Sequence, residues 1–350
     1  MKKIKVKNNS LKEIVRAFKK YNNYILSTHV SPDGDGIGSE LALGFGLRKL
    51  GKKVTIANSD PFPANYEFLP CNGILKDREE VKSSYDIAVS LECPGLDRVG
   101  KLKKVFLKSG KIINLDHHMS NDYFGDYNYV DEGAAAVGEQ VYDILIALGV
   151  KLDINIATCL YTSLATDTGS FSYSNTTRRT HEIVIELMKY GVNPSEINQN
   201  VYEVSSLGKI KLLGKALNSL NVDKKYGIAW TVLLKEVFEK TGTTYSDSEG
   251  IINYARSIKD VNVAISFTEI NGERVKISFR SKRNEIDVNK IAVFFNGGGH
   301  KRASGALQEG TIDDVKEKVL NKTREEIKRV SIKKFKPGIK SCGVSAKKKG

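Results

Sequence analysis

The sequence has little from which a membrane span, a disulfide framework or a zinc ribbon could be built. No apolar run approaches the roughly 18 residues that cross a bilayer. The four cysteines (Cys71, Cys93, Cys159, Cys342) stand far apart with no C-x-x-C pair. That spacing argues against a structural zinc site and for free thiols in a reducing compartment. The opening MKKIKVKNNS has lysines but no apolar stretch behind them, so a secretory signal is not expected. The expectation is a cytoplasmic protein without membrane association.

What is present is a globular composition, 40% hydrophobic and 27% charged over 350 residues, enough for two domains. The formal charge of +14 is unevenly spread. Residues 1–10 carry four lysines and residues 331–350 seven, with no acid in either stretch, which leaves only +3 for the body between them. The lysine-rich ends are therefore candidates for nonspecific contact with polyanions, or simply solubilising tails.

Hydrophobic patterning separates two halves. In the first, short apolar runs alternate with amphipathic stretches, the signature of a parallel α/β sheet. Strands are expected at Tyr24–Thr28, Val54–Ala57, Asp86–Leu91, Lys111–Leu115 and Tyr127–Val130. Helices are expected at Ile37–Leu50, Ala134–Leu148, Ile154–Thr166 and residues 181–190. The stretch VNPSEINQNVYEVSS has little apolar periodicity and reads as a linker, residues 192–206. Longer alternating strands follow at Gly227–Val232, Val261–Glu269 and Arg274–Arg280, with helices between them and after Gly299. The expected division is a catalytic domain over 1–191, a smaller mixed α/β domain over 207–330, and a basic disordered tail over 331–350.

Four of the five histidines stand beside aspartate or in a glycine cluster. His29, Asp33 and Asp35 lie in HVSPDGD, between a strand and a helix. Asp116, His117 and His118 follow the strand KIINL, and Asp167 lies in ATDTGSF at a helix end. In a parallel sheet, ligands bind outside the carboxyl ends of the strands, where the first two motifs would meet. Asp167 would have to fold against them. Side-by-side carboxylates repel, and a divalent cation removes the conflict. Oxygen and imidazole donors without thiolate suit Mn²⁺ or Mg²⁺. Five or six ligands exceed the needs of one ion, so two cations about 3.5–4 Å apart are the natural occupants. Each motif alone is ordinary, Asp-Gly-Asp-Gly being a common turn; the ordered combination is specific.

The strings HVSPDGDGIGS, NLDHHMSN, LATDTGSF and FNGGGHKRASG resemble the four successive signatures of the DHH/DHHA1 phosphoesterases, nearest the nanoRNase and pAp phosphatase type. The resemblance spans roughly residues 20–320. It implies an active site in the cleft between the two domains. His29 and Asp33 would hold one cation and Asp35, His117 and Asp167 the other, with Mn²⁺ the first expectation and Mg²⁺ or Co²⁺ also accommodated. The family places a bridging aspartate at the end of the third strand; this chain has Glu92 there, one methylene longer. The resemblance makes Asp116 a residue that orients a histidine ring, and His118 a residue that faces the substrate phosphate. Arg280 and Ser281 look like its phosphate-contacting pair. Gly297, Gly298 and Gly299 would offer backbone N–H groups to an anion, with His300 at a helix start.

The activity so implied is hydrolysis of short oligoribonucleotides to mononucleotides and removal of the 3′-phosphate from 3′-phosphoadenosine 5′-phosphate, by a chain free to homodimerise. The competing expectations are a phosphodiesterase for cyclic dinucleotides or their linear products, a RecJ-like single-strand exonuclease, and a non-catalytic RNA-binding protein on the same fold. A manganese pyrophosphatase shares the N-terminal motifs but lacks the triple-glycine–His signature.

Overall fold

A computed structural model describes residues 8–71, 73–76, 80–283 and 285–334. It divides into two compact units, the first ending at Val204 and the second beginning at Ser205. All four lysines of the N-terminal segment, Cys342 and residues 335–350 of the basic tail lie outside the described residues.

The first unit opens with helix α1 (Leu11–Lys20), which the sequence reading passed over. A Ser10–Glu13 capping box starts it, and Ile14, Val15, Ala17 and Phe18 form its buried stripe. Then follow β1 (Asn23–Ser27), α2 (Gly34–Lys49), β2 (Lys53–Ile56), β3 (Ile87–Leu91), α3 (Lys103–Lys108), β4 (Lys111–Asp116) and β5 (Tyr127–Val130). The five strands form one parallel sheet in the order β2-β1-β3-β4-β5. Their side chains alternate between two apolar layers. Tyr24, Leu26, Val89 and Ile113 enter the larger core, and Ile25, Ala88 and Ile112 the smaller one.

Helices α4 (Val137–Ala147), α5 (Ile154–Asp167) and α6 (Arg178–Met188) complete the layer on the larger core. Helix α2 is buried along almost its whole length and packs closely on α5. Gly38 permits that approach, since a Cβ there would strike the Cys159 carbonyl oxygen.

The segment expected to be a linker is instead helix α7 (Pro194–Tyr202). Asn193 caps it, Pro194 occupies its first turn, and Ile197 and Val201 are buried in the first core. The asparagines that read as linker serve as the cap and the exposed face.

The second unit contains α8 (Leu207–Asn218), β6 (Asn221–Asp223), β7 (Ile228–Leu233), α9 (Lys235–Thr241), α10 (Ile252–Ser257), β8 (Val263–Glu269), β9 (Arg274–Ser281), α11 (Val288–Phe294), β10 (Gly298–His300), β11 (Ala303–Glu309) and α12 (Ile312–Lys334). The sheet order is β10-β11-β9-β8-β7-β6, antiparallel except for the β7–β8 pair. Val263, Ile265, Phe267, Val275, Ile277 and Phe279 pack beneath α11 and α12.

Two further expectations are corrected here. Helix α12 runs to Lys334, so the first residues assigned to a disordered tail are helical. His300 does not start a helix. It ends β10, which turns through Lys301–Arg302 and pairs antiparallel with β11, His300 opposite Ala303. Gly297 is required at the open end of this hairpin, because a Cβ there would collide with the Gly305 carbonyl oxygen.

A candidate metal centre at the carboxyl edge of the first sheet

The strand order reverses between β1 and β3, and in open parallel sheets ligands bind in the crevice at such a point. His29 follows β1, Glu92 follows β3, and His117 and His118 follow β4. Asp33 caps α2, its Oδ1 accepting from the Asp35 and Gly36 backbone N–H groups at 3.1 and 3.2 Å. Asp167 is the last residue of α5. Residues spread over 139 positions of sequence thus meet in three overlapping groups: His29, Asp33 and Glu92; Asp35, His117 and Asp167; and Glu92, His117 and His118. Within each group the donor atoms lie within 4.8 Å of one another. Glu92 belongs to two of them.

The spacing fits shared cations better than hydrogen bonds. His29 Nε2 lies 3.9 Å from Asp33 Oδ2 and 3.6 Å from Glu92 Oε2. His117 Nε2 lies 3.9 Å from Asp35 Oδ2 and 3.7 Å from Asp167 Oδ2. These separations are too long for hydrogen bonds. They fall between the roughly 3 Å of neighbouring ligands and the roughly 4.2 Å of opposite ones in an octahedron with bonds of about 2.1 Å. Glu92 Oε2 is buried and finds no hydrogen-bond partner among the described residues, a costly state that a cation relieves.

Each histidine commits its other nitrogen. His29 Nδ1 donates to the Val30 carbonyl oxygen at 2.8 Å, and His117 Nδ1 to that of Ala134 at 3.2 Å. His118 Nδ1 donates to Asp116 Oδ1 at 2.7 Å. Nε2 is therefore the free atom on all three rings, which is how outer hydrogen bonds fix the tautomer of a metal-binding imidazole.

The electrostatics record the crowding. Burial, then the neighbouring Asp35, Asp33 and Asp167, push Glu92 well above the usual carboxylate range. Burial also raises Asp35, although His117, Ser163 and the Val137 N–H oppose it. Asp167 is pushed up to about 7 by burial and by Asp35. Burial pulls His117 down, but Asp35 and Asp167 outweigh it, and the imidazole is raised. Protons here do what a divalent cation would do better.

Several residues that sequence reasoning missed hold these groups in place. Asp35 accepts from Ser39 Oγ at 2.9 Å, Ser163 Oγ at 2.6 Å, Val137 N at 2.7 Å and Gly138 N at 3.2 Å. It thereby caps α4 from outside, a role its own cap residue Ala136 cannot play. Asn121 Nδ2 donates to Asp116 Oδ2 at 2.5 Å and to Asn114 Oδ1 at 2.8 Å, so Asp116, fully buried, is gripped from both sides. Asn175 donates to Asp167 and to the Ala135 carbonyl. Asn121 had a signal, its place in the string NLDHHMSN; Ser163 and Asn175 had none, since only the packing of α5 brings them here.

The loops are also strained. Ser31, Glu92, Ser170 and Phe171 all adopt positive φ, between 54° and 65°. Non-glycine residues rarely do so, and such conformations gather at functional sites.

The DHH family N-terminal domain matches residues 23–164, and the DHHA1 domain residues 227–329. The chain is 32% identical to the bifunctional oligoribonuclease and PAP phosphatase NrnA of Thermus thermophilus, over 87% of this chain and 90% of that protein. The chain belongs to the DHH/DHHA1 phosphoesterase family. A protein of the same description from Bacillus subtilis is 30% identical over 84% of this chain and 92% of its own. The crystal structure of an exopolyphosphatase-related protein from Bacteroides fragilis is similar throughout, with a TM-score of 0.83, 29% identity, and coverage of 91% of this chain and 97% of that one.

The candidate metal-binding residues lie in the matched DHH domain apart from Asp167, just past its matched end. In the DHHA1 domain, Arg280 and Ser281 do not form a pair. Consecutive strand residues point to opposite faces. Ser281 is fully buried on the core side, its hydroxyl donating to the Arg283 carbonyl at 2.9 Å. Arg280, half-buried, lies on the other face near Arg256 and Glu249; burial, then Arg256, lowers its pKa. Gly298, Gly299 and His300 are exposed on β10, the last strand of the sheet. They offer an anion the unpaired edge of a strand rather than a helix N-terminus. No helix among the described residues is long and apolar enough to cross a membrane.

Proposed function

We propose that this chain is a two-cation phosphoesterase that cuts short oligoribonucleotides to mononucleotides and removes the 3′-phosphate from 3′-phosphoadenosine 5′-phosphate. The observation that carries the reading is the convergence of three imidazole Nε2 atoms and four carboxylates at the carboxyl edge of the DHH-domain sheet. Likeness over most of the chain to the two NrnA proteins named above supports the substrate class.

His29 and Asp33 would hold one cation and Asp35, His117 and Asp167 the other, with Glu92 grouped with the first pair and with His117 of the second set. Mn²⁺ is the expected ion. Two such cations would polarise the phosphate ester and lower the pKa of the attacking water.

The chain's own residues do the rest. Asp35, held by four hydrogen bonds, keeps its carboxylate fixed while substrate comes and goes. Asp116 and Asn121 orient His118 so that its Nε2, once protonated, can contact the phosphate or give its proton to the departing oxygen. Arg280, and the outward-facing backbone N–H of the edge strand Gly298–His300, are the anion contacts assigned to the DHHA1 domain.

A substrate panel with Mn²⁺ tests this reading. Turnover is expected with dinucleotides and 3′-phosphoadenosine 5′-phosphate, and little with pyrophosphate; turnover confined to cyclic dinucleotides, or none at all, would overturn it. In the same assay Arg280→Ala should raise KM roughly tenfold, the loss of one charged hydrogen bond, and leave kcat within about threefold. An unchanged KM would remove Arg280 from the site.

A further inference from the structure

The hydrolytic reading makes no use of a cavity of about 370 Å³ in the first unit, between the end of α5, the loop after it and α7. Packed interiors hold few voids larger than a water; this volume lies in the range of roughly 300–1,000 Å³ that small-molecule sites occupy. Its walls are aromatic. Tyr161 and Phe171 meet edge to face with ring centroids 5.8 Å apart, and Tyr202, 47% exposed, stands at the end of α7. Thr166, Ser170, Ser195 and Asn198 add polar groups to the lining.

Two features tie the cavity to the metal centre. Thr166 precedes the candidate ligand Asp167, and its side chain lies against Gly34, between Asp33 and Asp35, so closely that a Cβ there would collide with it. Thr166 thus lines the cavity and touches the segment that carries Asp33 and Asp35. Phe171, four residues past Asp167, is held at φ +65°, a conformation costly for a bulky residue, with its ring packed on Tyr161 and His181. The loop that follows the candidate ligand keeps an aromatic ring at the cavity wall at the expense of backbone strain.

We infer that this cavity is a nucleobase subsite, taking the purine or pyrimidine ring of a nucleotide whose phosphate ester lies at the metal centre. A nucleotide's phosphate and base are one sugar apart, and Thr166 and Asp167, adjacent in sequence, belong to the cavity and the cluster respectively. Aromatic walls stack on any base face, and hydroxyl and amide groups can meet its polar edge without selecting one base. That tolerance suits an enzyme of mixed short oligonucleotides. The inference rests on the phosphoesterase reading above and adds to it where the base goes.

The test compares the full-length Mn²⁺ enzyme on a dinucleotide and on the same dinucleotide with one base removed, the abasic position tried on either side. Tyr202→Ala removes a wall, and Asn198→Trp fills the cavity from an exposed position; both are surface changes with small effects on folding. Each variant should lose roughly 5- to 100-fold in kcat/KM on the intact dinucleotide, the usual worth of one stacked base, and less than about threefold on one of the two abasic substrates. In EDTA, the Kd for AMP should rise by at least about fivefold in both variants. Parent-like kcat/KM on the intact dinucleotide, or equal losses on all three substrates, would overturn the subsite while leaving the phosphoesterase reading in place. Failure of the unmutated enzyme to turn over any of the three would overturn the phosphoesterase reading, and the subsite with it.

Discussion

His117→Ala is expected to cut Mn²⁺-dependent phosphoester hydrolysis to below about a hundredth of the parent rate. Removing a residue that merely orients a metal ligand already costs about 10- to 100-fold, and His117 is proposed as a ligand itself. Its Nε2 is the atom common to Asp35 and Asp167, at 3.9 and 3.7 Å, and the third group joins it to Glu92 and His118. His118 does not stand in for it, because it is not part of the group that His117 forms with Asp35 and Asp167. The fold should survive, since His117 contributes only one hydrogen bond, to the Ala134 carbonyl, and the apolar core beneath β4 is untouched. Steady-state kinetics at saturating Mn²⁺, with circular dichroism as the folding control, measure this. Retention of more than about a tenth of the parent rate would contradict the ligand assignment.

Chelation is expected to make the protein lose stability as pH rises from about 5 to 8, and Mn²⁺ to restore it more at the upper end. The signs agree for acids and base. Asp35, Glu92 and Asp167 have raised values in the folded state. Between an unfolded value near 4 and the folded one, about 7 for Asp167, the folded protein holds protons that the unfolded chain has released. Stability therefore falls as pH rises through that window. His117, also raised, gives stabilisation that is full below about 6.5 and is lost as pH passes its folded value. A cation competes with those protons, so its stabilisation grows as they leave. Tm in EDTA and in Mn²⁺ at roughly pH 5, 6.5 and 8 measures both effects. An Mn²⁺ shift independent of pH would contradict the picture of carboxylates held together by protons when no cation is bound.

The sheet strands were legible because their apolar runs are short, β-rich and bounded by turn residues; β5 was expected at Tyr127–Val130 and is found there. The misses have physical causes. Helix α7 has only two buried positions in nine, too few to stand out against its asparagines. The Gly297–His300 segment reads as a loop into a helix, but glycine is also what a closely paired hairpin needs. Arg280 and Ser281, adjacent in sequence, were coupled by motif, whereas the strand's alternation sends them to opposite faces.

At the site, histidine and aspartate announced themselves, since such clustering needs a cation. The serines and asparagines that fix them did not. Ser163 sits mid-helix on α5, 128 positions from the Asp35 it bonds. Only the close approach of α2 and α5 gives it meaning.

We propose that these imidazoles and carboxylates form one cup for two cations. Crystals grown with MnCl₂ and measured at the manganese absorption edge test it most directly. Two anomalous peaks are predicted, one among His29, Asp33 and Glu92 and the other among Asp35, His117 and Asp167. Absence of density from both positions, or manganese bound only elsewhere on the chain, would contradict it.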